Sequence, residues 1–275
     1  MPGVGGTIEA RATSTLPPPA VPADVYDEDY YLHACAGYEE WRDSGGEAWH
    51  GMYPGALHMA GFREGETVVD VGTGRGELLA VAVCQGATRA IGVEYAEAAV
   101  ELARTTLAKH GVGDRAEVIQ ADARRLPLED GIADLVTMLD FVEHLAPDEF
   151  HQALLEARRI LAPGGRVLVH TLPNRTIYDV TYRLQRVLWP PRLRAWPRDP
   201  RNEHERLMHV NEQTVGSLRR SLKRAGLSGP RAWIGQVVYD GFVPPGRART
   251  TYHRFAAHWL TRRLGGGDLW ATATR

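Results

Sequence analysis

The chain is short of cysteine, of long apolar runs and of any overall excess of charge. Its 275 residues hold two cysteines, Cys35 and Cys84. Two thiols so placed fit no metal or redox spacing, which excludes a disulfide framework and leaves buried thiols in a reducing compartment. No apolar run reaches the roughly twenty residues that a membrane span needs. The first residues lack the basic-then-apolar order of a secretion leader, so a cytoplasmic protein is expected. His50, His58, His204 and His209 are scattered and make no recognised ligand pattern. What remains is an ordinary globular composition, 44% hydrophobic and 24% charged with net charge −2, enough for one large domain.

The near-zero net charge hides a division. Residues 1–173 hold 13 Lys+Arg against 27 Asp+Glu, and residues 174–275 hold 19 against 7. An acidic front part near −14 therefore precedes a basic back part near +12. Either the two parts attract each other, or the basic part meets an anionic acceptor or a membrane surface.

The stretch that organises the chain is Val68-Val69-Asp70-Val71-Gly72-Thr73-Gly74-Arg75-Gly76-Glu77-Leu78-Leu79. β-Branched Val68, Val69 and Val71 suit a strand covered on both faces. Gly72, Gly74 and Gly76 allow a tight turn on which a ligand can lie directly against the main chain. The third glycine of a dinucleotide fingerprint, G-x-G-x-x-G, falls one residue later than Gly76 does. Asp70 at the strand end would also repel a pyrophosphate and attract a ligand carrying an ammonium and a sulfonium. An oxidoreductase is disfavoured on both counts.

Three further strands follow in order, each ending in an acid. Ala90–Glu94 ends where Glu94 can accept from both ribose hydroxyls of a nucleoside. Residues 117–123 end at Asp122, placed to accept from an adenine amino group, and residues 132–140 end at Asp140. With the glycine turn, these segments resemble class I S-adenosylmethionine-dependent methyltransferases, of the broad group that includes ubiquinone and menaquinone biosynthesis enzymes. The resemblance rests on VVDVGTGRGELL, IGVE, QADARRLPLEDGIADLVTMLDFVEHL and RILAPGGRVLVHTLPN, roughly residues 66 to 174. It implies an α/β, Rossmann-like, seven-stranded, mostly parallel sheet with an antiparallel last strand and helices on both faces. The implied cofactor is S-adenosyl-L-methionine, with S-adenosyl-L-homocysteine as product. It would be held by Asp70, Gly72, Thr73, Gly74, Gly76, Glu94, Tyr95, Asp122, Ala123 and Asp140. The group methylates very different acceptors, so the resemblance does not give the substrate.

Around this core the chain divides into a Pro/Gly-rich start (1–23), a helical cap (24–64) and the cofactor-binding domain (65–275), with inserts at about 174–208 and 241–267. The start is expected to be disordered or extended, and residues 1–20 are expected to be dispensable for cofactor affinity. The cap carries Tyr26, Tyr30, Tyr31, Tyr38 and Trp41 among acids, with helices predicted from about Glu28 to Trp41, broken near Gly37, and from about Glu47 to Ala60. In the resembling family such helices lie over cofactor and acceptor. Helices are predicted over 96–110, 146–161 and 211–225, the last capped by Asn211 and stopped by Gly226. Ile177, Val180, Leu184, Val187 and Leu188 have helical spacing in an insert expected to cover the site. Strands six and seven are predicted over 232–239 and 268–274. Between them, residues 248–264 read as a basic amphipathic helix with Tyr252, Phe255, Ala256, Trp259 and Leu260 on one stripe and Arg249, Arg254, Arg262 and Arg263 largely off it. Such a helix packs on its own protein, across a homodimer or, less favoured, on a membrane surface.

Methyl transfer to a hydroxyl calls for a base. His144, with a normal pKa near neutrality, is the first candidate, then Glu143, then His170; the Glu-His pair can equally tie its loop down. Glu143, His144 and His170 could meet at the strand ends around a divalent ion, but no ligand spacing supports one and a metal is not expected. The favoured function is methylation, O-methylation first, of a small-molecule acceptor that is sugar-, lipid- or phosphate-linked. A nucleic-acid methyltransferase is the alternative; it lacks the Asn/Asp-Pro-Pro-aromatic motif, since Leu139-Asp140-Phe141-Val142 stands there, and no nucleic-acid partner is expected. A cofactor-binding module without catalysis is the third reading.

Overall fold

The computed structural model describes residues 16–188, 198–238, 246–258 and 261–275. One seven-stranded sheet forms its centre: β1 (Thr67–Val71), β2 (Arg89–Glu94), β3 (Ala116–Gln120), β4 (Ala133–Leu139), β5 (Leu161–Thr171), β6 (Ser228–Ile234) and β7 (Leu269–Thr274), in the spatial order β3-β2-β1-β4-β5-β7-β6. The first five strands run parallel, and β7 inserts antiparallel between β5 and β6. Valine-rich β1 is flanked on both sides, by β2 and β4, which explains why four of its five residues are buried. The order reverses at β1, and the crevice outside the carboxyl ends of β1 and β4 is where such sheets take ligands.

Helices cover both faces. The cap comprises α1 (Glu28–His33), α2 (Tyr38–Ser44) and α3 (Met52–Met59). The core helices are α4 (Glu77–Cys84), α5 (Glu97–Lys109) and α6 (Pro147–Ile160), and beyond β5 lie α7 (Arg183–Leu188), α8 (Glu203–Met208), α9 (Val215–Arg224), α10 (Arg247–Ala257) and α11 (Arg262–Gly265). One apolar cluster joins Val69, Val71, Val136 and Val167 to Phe150, Leu154, Leu218 and Leu222. A second, on the opposite face, joins Val68 and Leu135 to Leu57, Leu78 and Leu79. Gly76, at positive φ, caps α4; a Cβ there would lie 2.9 Å from that of Ala103, so α4 and α5 approach only because it is glycine.

Several expectations are corrected. α3 begins at Met52, not Glu47. The strand predicted over 117–123 stops at Gln120, so Asp122 heads the following loop. Helix α9 is capped by Thr214, whose hydroxyl accepts from Ser217 N, because Asn211 is spent on bonds with Gln213 and the Val142 carbonyl. Strand β6 runs over 228–234, and Val238 makes only an isolated bridge to Gly266. The single helix expected over 248–264 is two, parted where His258 turns extended. Tyr252 and Ala256 are buried with Val238 and Phe255, so this segment packs on its own chain; Trp259 and Leu260 lie outside the described residues. The insert helix opens as a π turn over Ile177–Tyr182, which buries Ile177 and Tyr182 and leaves Val180, Leu184 and Val187 exposed. No helix among the described residues is long and apolar enough to cross a membrane.

Candidate functional site

A cavity of about 1040 Å³, open solvent at its mouth included, lies at the carboxyl ends of β1, β2 and β4. Its floor is the glycine turn. Gly72 N donates to the Val93 carbonyl at 2.8 Å, which draws the turn against β2. Gly72 sits at φ 76°, and a Cβ on it would meet the Phe141 ring at 2.4 Å. At Gly74 the nearest atom to such a Cβ is on the Tyr31 ring, 3.7 Å away, so this backbone is bare toward the cavity.

Two buried carboxylates face the turn. Asp70 accepts from Thr137 Oγ1 at 2.6 Å. Burial pushes it up to about 7, the Thr137 bond opposing. Glu94 accepts from the N–H groups of Gly74, Tyr95 and Ala96 at 3.0, 2.8 and 3.1 Å; burial still raises it above the ordinary carboxylate range. Neither has an ion-pair partner among the described residues. Two buried acids without a cation suit a cationic ligand whose hydroxyl groups can also donate.

Asp122, the third acid, is held differently. Arg124 lies against its carboxylate at 2.7–3.0 Å and reaches on to Glu149 at 2.9 Å and to the Pro17 carbonyl at 2.8 Å. The chain start is therefore fastened over this end of the cavity. Ala20 N donates to Glu149 Oε1 at 2.9 Å and Tyr95 Oη donates to the Val21 carbonyl at 3.0 Å. Pro19 and Val21 line the wall. Residues 16–22, which overlap the segment expected to be dispensable, form a strap across the site. Arg75 fastens the cap beside it. Its buried guanidinium donates to the carbonyls of Tyr31 and Ala36 at 2.8 and 2.6 Å and pairs with Glu77 at 3.1 Å, which in turn accepts from Tyr53 Oη at 3.1 Å.

The other end holds the catalytic candidates. Asp140 stands at φ 50°, a conformation that aspartate tolerates better than most residues and that gathers at functional sites. Its Oδ1 lies 2.6 Å from His170 Nδ1, and His170 Nε2 lies 3.3 Å from Asp268 Oδ2. Burial alone would lower His170, but the two carboxylates outweigh it and push it up to about 10. A histidine raised in this way carries its proton at neutral pH. Glu143 is buried; its Oε2 accepts from Thr171 Oγ1 at 2.7 Å and its carbonyl from Val210 N and Asn211 N at 2.9 and 3.0 Å. Burial, then Asp140, pushes it up to about 8. It ties the loop to the segment after α8. His144 alone of the three lines the cavity. Burial and then His209 beside it bring it down to about 3, against the pull of Asp140 and of the Met208 carbonyl. Tyr26 Oη lies 2.9 Å from its Nδ1.

Of the residues expected to hold the cofactor, Asp70, Gly72, Thr73, Gly74, Glu94, Tyr95, Asp122, Ala123 and Asp140 line one cavity, and Gly76 stands off its wall as a helix cap. The sequence reading missed Arg75, Arg124, His209 and Asp268. His209 stands in the sequence only as one of the scattered histidines, just beyond the insert expected to cover the site. Glu143, His144 and His209, not His170, bring one ligand atom each within 4.8 Å of one another.

Fold, glycine turn and acids together agree with the resemblance to class I S-adenosylmethionine-dependent methyltransferases. Residues 68–165 match the family model described as Methyltransferase domain. The chain is 31% identical over 148 residues to 27-O-demethylrifamycin SV methyltransferase of Amycolatopsis mediterranei, covering 53% of each chain. It therefore spans about half the length of that relative. It is 27% identical over 185 residues to a ubiquinone/menaquinone biosynthesis C-methyltransferase of Hahella chejuensis, covering 62% of this chain and 70% of that one. Among solved structures, one chain of a complex between the Haloferax volcanii Trm112 methyltransferase activator and a methyltransferase superposes with a TM-score of 0.60, 20% identity and coverage of 90% of this chain and 96% of that one, a likeness of fold.

Proposed function

We propose that the protein transfers a methyl group from S-adenosylmethionine to a hydroxyl, or to the adjoining carbon, of a phenolic or hydroquinone-like small molecule. The cofactor supplies a methyl group bonded to a positively charged sulfur. The observation that carries its assignment is the pair of buried carboxylates, Asp70 and Glu94, which face the bare Gly74 backbone and have no ion-pair partner among the described residues. Asp70 would hold the ammonium and Glu94 the ribose hydroxyls, while Asp122, through its loop, meets the base.

The acceptor reading rests on the aromatic part of the lining. Tyr26, Tyr30, Tyr31 and Phe141 line the cavity together with His144, giving ring faces and edges on which a planar acceptor can pack. The two relatives act on a rifamycin and on quinone precursors by name, which agrees with a ring acceptor. His144 is neutral at pH 7 and can take the acceptor's proton, while the protein aligns oxygen and methyl group and keeps water out.

Calorimetric titration tests the first half: micromolar binding of S-adenosylmethionine and S-adenosylhomocysteine, with none of NADH, is expected. Absence of binding to either sulfur compound would sink it. Incubation with a reduced naphthoquinone and methyl-labelled cofactor tests the second half; label should appear in the ring compound, and transfer only to nucleic acid would overturn it.

A further inference from the structure

Tyr26 ends the short 3-10 turn Ala23–Val25 that follows the strap, and its side chain is buried against the site rather than pointing to solvent. Its ring stands edge-on to His144 at 5.5 Å and to Tyr30 at 5.4 Å, and lies 5.7 Å from Tyr95. Its hydroxyl lies 2.9 Å from Nδ1 of His144. A neutral imidazole has one proton. With it on Nε2, Nδ1 is the acceptor and Tyr26 Oη–H the donor across the 2.9 Å contact. In that tautomer the basic nitrogen is covered by a phenol, and that phenol lines the same cavity as His144.

We propose that Tyr26 is a catalytic residue, the relay through which the proton of the acceptor hydroxyl reaches His144. This rests on the reading of His144 as the base. The acceptor O–H bond breaks as its oxygen bonds the methyl carbon and the carbon–sulfur bond breaks, its pair staying on sulfur. The acceptor's proton goes to Tyr26 Oη, and the proton that Tyr26 held goes to Nδ1. The histidine ends as an imidazolium whose Nδ1–H donates back to Tyr26. Tyr26 regains its starting state and never carries charge through the cycle. That suits a phenol whose ionisation burial opposes strongly.

The first test needs no acceptor. In the full chain labelled with 15N-histidine, long-range 15N–1H spectra at pH 7 should show His144, assigned by its loss in His144→Gln, with its proton on Nε2 and Nδ1 shifted by an accepted hydrogen bond. In Tyr26→Phe, which keeps the ring and its packing, that Nδ1 signal should move to the position of an unbonded nitrogen. A protonated Nδ1 in the wild type, or an unmoved signal in the variant, would overturn the proposal. The second test uses a reduced naphthoquinone as acceptor. Tyr26→Phe should lower kcat about 100-fold with the KM for cofactor unchanged, and His144→Gln should lower it as far. A wild-type rate in Tyr26→Phe with loss in His144→Gln would mean that His144 takes the proton directly, so the relay is wrong and the base reading stands. Full rate in His144→Gln would end the base reading itself.

Discussion

Asp140 Oδ1 and His170 Nδ1 lie 2.6 Å apart at the ends of neighbouring parallel strands, and the same imidazole meets Asp268 from the antiparallel strand on its other side. The histidine is 2% exposed, and Trp270 Nε1 and Val237 N bond Asp268 behind it. One buried positive charge thus serves two carboxylates and fastens the Asp140 corner of the site to β7.

The first prediction concerns that charge. A group raised in the folded state stabilises fully below its unfolded pKa, near 6.5, and loses this as pH rises through the folded value, here about 10. Stability should therefore fall between pH 6.5 and 10, by up to about 1.4 kcal/mol per unit from this group. His170→Gln leaves two buried carboxylates unpaired and should cost roughly 3 kcal/mol at pH 7. The gap from wild type should close toward pH 10. Urea unfolding at pH 7, 8.5 and 10 checks both; a gap that stays constant with pH would show that His170 is neutral in the fold.

The second prediction concerns Asp70. Burial holds it near 7 in the free protein, while the proposed ligand needs its carboxylate. Affinity for S-adenosylhomocysteine should weaken as pH falls below 7, approaching tenfold per unit. Asp70→Asn should bind poorly at every pH and lose that dependence. Calorimetry from pH 5.5 to 8 measures it, and a pH-independent wild-type affinity would contradict the assignment.

What could be read in advance was what lies close along the chain. The turn at Gly72 to Gly76 and the acids at the strand ends belong to short segments whose residue types demand the geometry. The contacts that could not be read join distant residues. Arg75 bonds the Tyr31 carbonyl 44 residues away, Arg124 bonds Pro17 across 107, and His170 meets Asp268 across 98. An arginine or a histidine in isolation does not say whether it faces solvent or is drawn into a buried pair. His170 shows the cost of that gap, since its type suggests a base and its two carboxylates keep it protonated. The break at His258 is of the same kind: the apolar stripe continues in the sequence, but the backbone leaves the helix.

A third prediction separates two glycines that look alike in the sequence. A methyl on Gly72 meets the Phe141 ring inside the protein, and a methyl on Gly74 points toward the cavity. Both residues have positive φ, so alanine strains either backbone by about 1 kcal/mol. Gly72→Ala should cost about 1–3 kcal/mol more, by overpacking, and Gly74→Ala should keep most of the stability yet lose cofactor affinity. Thermal unfolding beside a binding titration distinguishes them. Equal destabilisation by both would mean that the turn is not pressed against Phe141.

The last prediction reverses what the composition suggests for the chain start. A segment rich in proline and glycine reads as dispensable, yet Pro17, Ala20 and Val21 spend backbone groups on Arg124, Glu149 and Tyr95. Arg124 is also bonded to Asp122, and Tyr95 follows Glu94 directly, so the strap is fastened to the neighbours of two proposed cofactor contacts. Its proline content favours the role, because restricted residues lose less entropy when held in place. Deleting residues 1–22 removes the strap and leaves Tyr26. Affinity for S-adenosylhomocysteine should fall roughly tenfold, about 1.4 kcal/mol. Dissociation should account for most of that, since a cover over a bound ligand slows escape more than entry. Stopped-flow displacement of the ligand from both chains measures the off-rate, and equal rates would mean that the strap lies beside the cofactor rather than over it.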